Sequence, residues 1–249
     1  MPEQERVVRV PFEGAIPAIF LERTNRFVCQ VLIEGKRELA HVPSSGRMTE
    51  LLIRGASVWL MPRAKEGRKT AYDLLLVRKD GVWVSVDSRL PNTIVETAFQ
   101  QGVPLVPAAY TSFRREVNFE GRRFDFLLQG GDGNCLVEVK SVTLVENGVA
   151  KFPDAPTHRG AEHLKGLMRA KERGWAAGVV FIIQREDASL FAPNWQQDPI
   201  FASLLSQAQG IFVLAYRCHV SPRGVSLGLP VQISFAGEAN SPNLAGKQG

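Results

Sequence analysis

Cysteine is scarce in this chain. Its 249 residues hold three, Cys29, Cys135 and Cys218, far apart and in no C-x-x-C pair. That excludes a disulfide framework and a structural zinc site as organising devices, and a reducing, cytoplasmic setting is expected. Histidine is scarce too, with four residues, and only His158 accompanies His163 nearby, which argues against a zinc centre. No apolar run approaches the roughly 18–20 residues of a membrane span. The segment MPEQERVVRV is charged and lacks the apolar stretch of a secretory signal. A P-loop, a Rossmann glycine fingerprint, a G-x-S-x-G elbow and a Cys–His nucleophile pair are all missing. Internal repeats are missing as well.

What remains is the composition of a folded protein. Hydrophobic residues make up 45% and charged residues 22%, enough for a core and incompatible with general disorder. The formal net charge is +5 and the sequence pI is about 9.3. This mild basic balance favours a polyanionic partner without requiring one. It is uneven: 15 basic face 11 acidic residues up to Arg89, and 15 face 14 beyond it. The N-terminal part carries the electrostatic footprint.

The first third reads as short strands: VVRVPF, AIFLER, FVCQVLI, RELAHV, SVWLMP, YDLLLVRK and VWVSVD, each bounded by Gly, Pro, Asn or Asp. Between the fourth and fifth, a short helix is expected, capped by Ser44 or Ser45, running through Ile53 and ended by Gly55. Five strands with one such helix suit an OB-type barrel; another small antiparallel barrel or sandwich fits the pattern as well. Near residue 88 the pattern changes. Helices are expected at SRLPNTIVETAFQQG, HRGAEHLKGLMRAKERG and DPIFASLLSQAQG, and strands at SFRREVNFE, RRFDFLLQ, NCLVEVKSVTL, AAGVVFIIQ and IFVLAYRC. The order α-β-β-β-α-β-α-β predicts a mixed sheet flanked by helices. The expected divisions are a barrel over 1–88, an α/β unit over 89–236 and a frayed tail over 237–249.

The chemistry concentrates in RRFDFLL and CLVEVKSVTL. Residues two apart on a strand share a face, so Glu138 and Lys140 point one way. Asp125 lies on the preceding strand, across a Gly-rich turn, and adjacent strands are only about 4.8 Å apart. The three can converge. Phosphodiester hydrolysis needs such a volume: carboxylates to hold Mg²⁺ or Mn²⁺ and a lysine to neutralise developing charge. The bland alternative is a solvent-facing ion pair worth under about 1 kcal/mol. Val137, Val139, Val142 and Leu144 argue against it, because they make the strand too apolar for a casual edge.

This D…E-x-K hairpin between helices resembles the PD-(D/E)xK nuclease superfamily. More closely, VEVKSVTL followed by FPDAPTHRGAEHLKGL, together with HVPSSGRM, NRFVCQV and RREVNFEGRRFDFLL, resembles the sugar fermentation stimulation protein (SfsA) family over about residues 7–233. The resemblance implies an OB-like N-terminal domain and a nuclease-like C-terminal domain. It also implies sequence-independent DNA binding, linked in the family to regulation of maltose and other sugar metabolism. By position it places Asp125, Glu138 and Lys140 on the nuclease core, with Asp125 and Glu138 as metal ligands, and adds Glu116, Arg123, Asp154, Arg159 and His163. One departure stands out: the family commonly reads PNTG where this chain has Pro43-Ser44-Ser45-Gly46.

Other candidates are weaker. Glu116 without that context is a solvated strand residue, and Glu96 reads as surface. Arg159 suits a phosphate contact. The run RAKEGRK offers Arg63, Lys65, Arg68 and Lys69 as a nucleic-acid-binding barrel loop, against the plainer reading of a solvated loop. Trp59, Phe27 and Tyr72 stay unassigned, since aromatics in a small barrel are more often core. The expected partner is DNA, with RNA left open, and no membrane. A homodimer is compatible with both modules, though no residue decides it.

Overall fold

The computed structural model describes residues 7–63 and 67–236. The expected tail at 237–249 lies outside the described residues. The first strand, β1 (Arg9–Pro11), departs from expectation, because it leaves the barrel and pairs with a strand near the far end of the chain. There Gly224 leaves room for it, since a Cβ on Gly224 would lie 2.7 Å from the Val10 carbonyl.

The barrel itself follows the alternation read from sequence. It runs β2 (Ile16–Asn25), β3 (Val28–Ile33), β4 (Lys36–His41), β5 (Ser57–Pro62) and β6 (Tyr72–Lys79), with β7 (Val82–Ser85) folding back on β6. The order β4-β3-β2-β5-β6 closes through a parallel β4–β6 pairing at Ala40↔Tyr72. Alternate residues, among them Phe20, Val31, Leu60 and Leu74, fill the interior. Register shifts in β2 and β5 supply the bends that closure needs.

The expected helix after Ser44 does not form. A single turn caps the segment, with the Leu51 and Leu52 amides donating to the Met48 carbonyl. Met48 has φ +48°, which a right-handed helix cannot accommodate. Met48 and Leu51 instead plug the barrel. The preceding carbonyls of Ser44, Gly46 and Arg47 all accept from the Arg23 guanidinium, at 3.2, 2.8 and 2.7 Å.

After the barrel come α1 (Leu90–Gln100), β8 (Ser112–Phe119), β9 (Arg122–Gly130), β10 (Gly133–Val142), β11 (Val145–Glu146) and β12 (Val149–Phe152). The chain continues through α2 (His158–Glu172), β13 (Ala176–Ile183), β14 (Leu190–Pro193), α3 (Pro199–Ser206), β15 (Phe212–Ser221), β16 (Gly224–Pro230) and β17 (Gln232–Ile233). The main sheet has the order β1-β16-β15-β13-β10-β9-β8. Its centre, β10–β13–β15, is parallel, and both faces are covered, as a parallel core requires. Ile94, Val95 and Phe99 of α1 pack on one face against Phe126, Val137 and Val139. Leu164 and Leu167 of α2 and Phe201 of α3 pack on the other, against Leu136, Val179 and Phe181. A smaller sheet, β11-β12-β14-β17, covers the end of the main one.

The barrel is tied to this unit near the carboxyl end of β10. The Ser85 amide donates to the Gln184 carbonyl, at 3.0 Å. The Gln184 side chain donates to the Asp87 carbonyl and to Ser141 Oγ. Ser88 Oγ donates to the Pro43 carbonyl at 2.7 Å, and the Arg47 amide donates to Asp154 Oδ2 at 2.9 Å.

Candidate active site

Strand alternation puts Glu138 and Lys140 on the α2 side of the sheet, between the buried apolar residues Leu136 and Val142. Asp125 faces them from β9. It is a point where the sheet opens: the β9–β10 ladder ends at Val137↔Phe126, and the β8–β9 ladder skips from Arg115↔Phe126 to Val117↔Phe124. The freed Val139 amide donates to Asp125 Oδ2 at 2.8 Å. Asn92 on α1 donates to Asp125 Oδ1 at 2.9 Å. The carboxylate thus replaces a strand partner, and the peptide edge of β10 beyond Val137 faces a pocket.

Glu138 is deep, with its side chain 4% exposed. Its Oε1 accepts from Lys140 Nζ at 2.5 Å and touches His163 Nδ1. Lys140 Nζ is also 3.3 Å from His163 Nδ1. The ring of His163, buried on α2 and tilted against Phe124, locks both charged groups. Glu138 Oε2 has no hydrogen-bond partner although it is buried. Leaving a charged acceptor in that state costs on the order of 1–3 kcal/mol or more. An electropositive partner at Oε2 would remove that cost.

Electrostatics separate the two carboxylates. Burial raises the pKa of Asp125, and the neighbouring Glu138 charge raises it further, against the pull of the Val139 amide, Lys140 and Asn92. Burial also works against ionised Glu138, but Lys140 and His163 outweigh it and hold the group below its ordinary value. Two carboxylates share one ammonium group here, so the floor of the pocket has room for further positive charge.

The pocket has a volume of about 350 Å³. Asp125, Glu138 and Lys140 form its floor, and Asn92, Lys151, Asp154 and Arg159 line it. Ser44, Ser45 and Gly46 of the barrel form its far wall, so the pocket belongs to both units. The PSSG departure therefore falls on the pocket itself. Among the described residues, no three His, Cys, Asp or Glu side chains form a ready metal cage. The unpartnered Glu138 Oε2 and the second lone pairs of the Asp125 oxygens, together with main-chain oxygen and water, still suit a hard cation that keeps part of its hydration.

The remaining expected residues fall into three groups. Arg159 lies in the pocket with the floor residues. Glu116 falls, like Asp125, in the gap of the β8–β9 ladder but does not line the pocket; its side chain is 62% exposed and lies 3.6 Å from Arg123. Arg63 and Arg68 are drawn onto the buried Asp73, at 3.3 and 2.5 Å, where Arg89 joins them at 3.1 Å. Two cations of the basic loop are thereby engaged in neutralising a carboxylate. Lys69 is exposed, and Lys65 lies outside the described residues. Glu96, read as surface, pairs with Arg115 at 2.5 Å.

Three contributors carry little signal in local spacing alone. Asn92 is one polar residue in the first turn of an amphipathic helix. The serine loop is 80 residues or more from Asp125 in the chain. His163 is named only by the family resemblance, since helical spacing shows no more than a residue four positions from Arg159.

Comparison with known proteins agrees with this architecture. Residues 21–86 match the family model described as the SfsA N-terminal OB domain, and residues 89–224 match that of the sugar fermentation stimulation protein RE domain. The sugar fermentation stimulation protein homolog of Moorella thermoacetica is 49% identical over 224 residues, covering 88% of this chain and 97% of the relative. That of Desulforamulus reducens is 48% identical over 230 residues, covering 91% and 96%. The solved structure of Pyrococcus furiosus SfsA in complex with Ca²⁺ superposes with a TM-score of 0.82 at 30% identity, covering 90% of this chain and 98% of that one. The chain belongs to the sugar fermentation stimulation protein family.

Proposed function

We propose that the chain binds nucleic acid, DNA in the first instance, and hydrolyses its phosphodiester bonds with a divalent cation held by Asp125 and Glu138. One observation carries this reading: the buried, unpartnered Oε2 of Glu138 beside Asp125 in a pocket that Arg159 also lines. The Pyrococcus furiosus relative, described in complex with Ca²⁺, supports a divalent ion in this fold. Mg²⁺ or Mn²⁺ is the expected working ion, because hard oxygen ligands suit both.

Bound there, the cation would polarise the phosphoryl group and acidify water. The chain's own residues do the rest. Asp125 is aimed by Asn92 and the Val139 amide, so its ordering is complete before substrate arrives. Lys140 Nζ, held between Glu138 and His163, keeps an ammonium group at the reacting phosphate. Arg159 on the wall would neutralise phosphate charge.

A second reading shares the binding but not the cutting: a sequence-independent DNA-binding regulator. It is favoured by the OB barrel and by the basic balance concentrated before Arg89. The two separate in one assay. Labelled DNA and RNA are incubated with Mg²⁺, Mn²⁺ or EDTA beside Glu138→Ala. Metal-dependent shortening that vanishes in the variant is expected. Intact polymer in every condition, with salt-sensitive retention by both proteins, would leave only the regulator.

A further inference from the structure

The wall that the barrel contributes to the pocket is a fixed loop. The loop Ser44–Arg47 is pinned at one end by Ser88 on the Pro43 carbonyl and at the other by the Arg47 amide on Asp154. Arg23 fixes three of its carbonyls from behind. Gly46 lies so close to Asp154 that a Cβ would stand 2.6 Å from Oδ2. Beside this loop about 350 Å³ is available, and Glu138, which also lines it, is only 3% exposed. Ligand-sized pockets begin at about 300 Å³. Space of that size takes about one nucleotide unit, so a phosphodiester reaches it more readily from a flexible single strand than from a stiff duplex.

An independent feature lies beside the same loop. Phe27, in the β2–β3 turn, is 45% exposed, unlike the aromatics that fill the interior. The Arg26 guanidinium sits 5.5 Å from its ring centroid, and the His41 ring stacks at 6.3 Å with a 26° tilt. Arg26 Nε donates to the carbonyl of Ser45, a pocket residue, at 3.4 Å. An exposed aromatic with a guanidinium over it is the platform on which unpaired bases stack.

We propose that the site takes a single-stranded polynucleotide, with one base stacked on Phe27 while a neighbouring phosphodiester passes along Ser44–Gly46 toward Asp125 and Glu138. This rests on the reading of the pocket as a phosphodiester site. Asp154 is then a positioning residue, acting through the loop it latches.

The test uses the full chain with Ca²⁺ as the probe metal. Fluorescence anisotropy measures affinity for a labelled single strand, as DNA and as RNA, and for a long blunt duplex of the same sequence. The single strand should bind at least about tenfold more tightly. Phe27→Leu should lose about 5- to 100-fold of single-strand affinity, the range of one base stack, with Tm unchanged as the check on folding. Phe27→Tyr should restore it. Asp154→Ala, which frees the loop, should narrow the preference for single strands, whereas Asp154→Asn keeps an acceptor for the Arg47 amide and should retain it. Equal affinity for duplex and single strand, or an unchanged Kd in Phe27→Leu, would overturn the proposal. Failure of every polymer to bind would sink the phosphodiester reading with it. A single-strand preference without cleavage in Mg²⁺ or Mn²⁺ would remove hydrolysis alone.

Discussion

Glu138 combines opposed demands in one side chain. Oε1 is saturated by Lys140 and His163, and Oε2 is buried with nothing to accept from. A residue kept only for stability would not hold a bare carboxylate oxygen, because a well-packed apolar group costs less at such a site. Replacing Glu138 by Ala should therefore lower metal-dependent cleavage at least about 100-fold, since one of two ligands is lost. Glu116→Ala, at an exposed position outside the pocket, should cost less than about tenfold; single-turnover rates on a labelled strand distinguish the two. Asp73 gives a contrasting case. Burial alone would raise its pKa, but Arg68 and Arg89 outweigh burial and lower it. A lowered carboxyl contributes stability above its unfolded pKa and loses it as pH falls through the folded one. Asp73→Asn should thus cost about 1–3 kcal/mol near neutrality, discounted for its partly exposed arginines. The gap to the wild type should close as pH drops below about 4. Urea midpoints at several pH values measure it.

At the scale of elements, α2 aims the site. Thr157 caps it by accepting from the Gly160 amide at 3.0 Å, and the helix presents Arg159 to the pocket and His163 to Glu138. Its distance from the sheet depends on Gly166, where a Cβ would stand 2.6 Å from Phe124 Cζ. Gly166→Ala should cost about 1–3 kcal/mol by overpacking. It should also weaken single-strand binding, because the displaced helix carries Arg159 away; anisotropy beside thermal unfolding reads both effects. The elements differ in how legibly the chain encodes them. The barrel strands and the three helices follow apolar alternation and helical spacing, which burial enforces along each element. The strands β11, β12, β14 and β17 have two to four residues each, too short for any period to register. The segment after Ser44 has helix-like punctuation, yet Met48 turns to positive φ so that its side chain can plug the barrel. Tertiary packing overrides local preference there.

The whole molecule explains why only part of the site was readable. Asp125, Glu138 and Lys140 come from two neighbouring strands, and a hairpin with period-2 faces makes their meeting predictable. Ser44–Gly46 arrives from the other unit, and Asn92 from a helix on the opposite side of the sheet. No local rule relates positions that far apart. The basic run 63–69 shows the reverse: its charge pattern suggested an interface, but a buried partner, Asp73, engages two of its arginines. The two units meet through Gln184 and Asp154, so the pocket is a property of their junction rather than of either alone.

The most direct test of the account is a calorimetric titration of Mn²⁺ into the full chain, alongside Glu138→Ala and Asp125→Asn, across a range of pH values. One cation per chain should bind the wild type, more weakly as pH falls, because burial and the Glu138 charge raise the Asp125 carboxyl and protons compete with the ion there. Both variants should lose that event. Equal Mn²⁺ binding by all three proteins, or none by the wild type across the range, would contradict the assignment of Asp125 and Glu138 as a cation site.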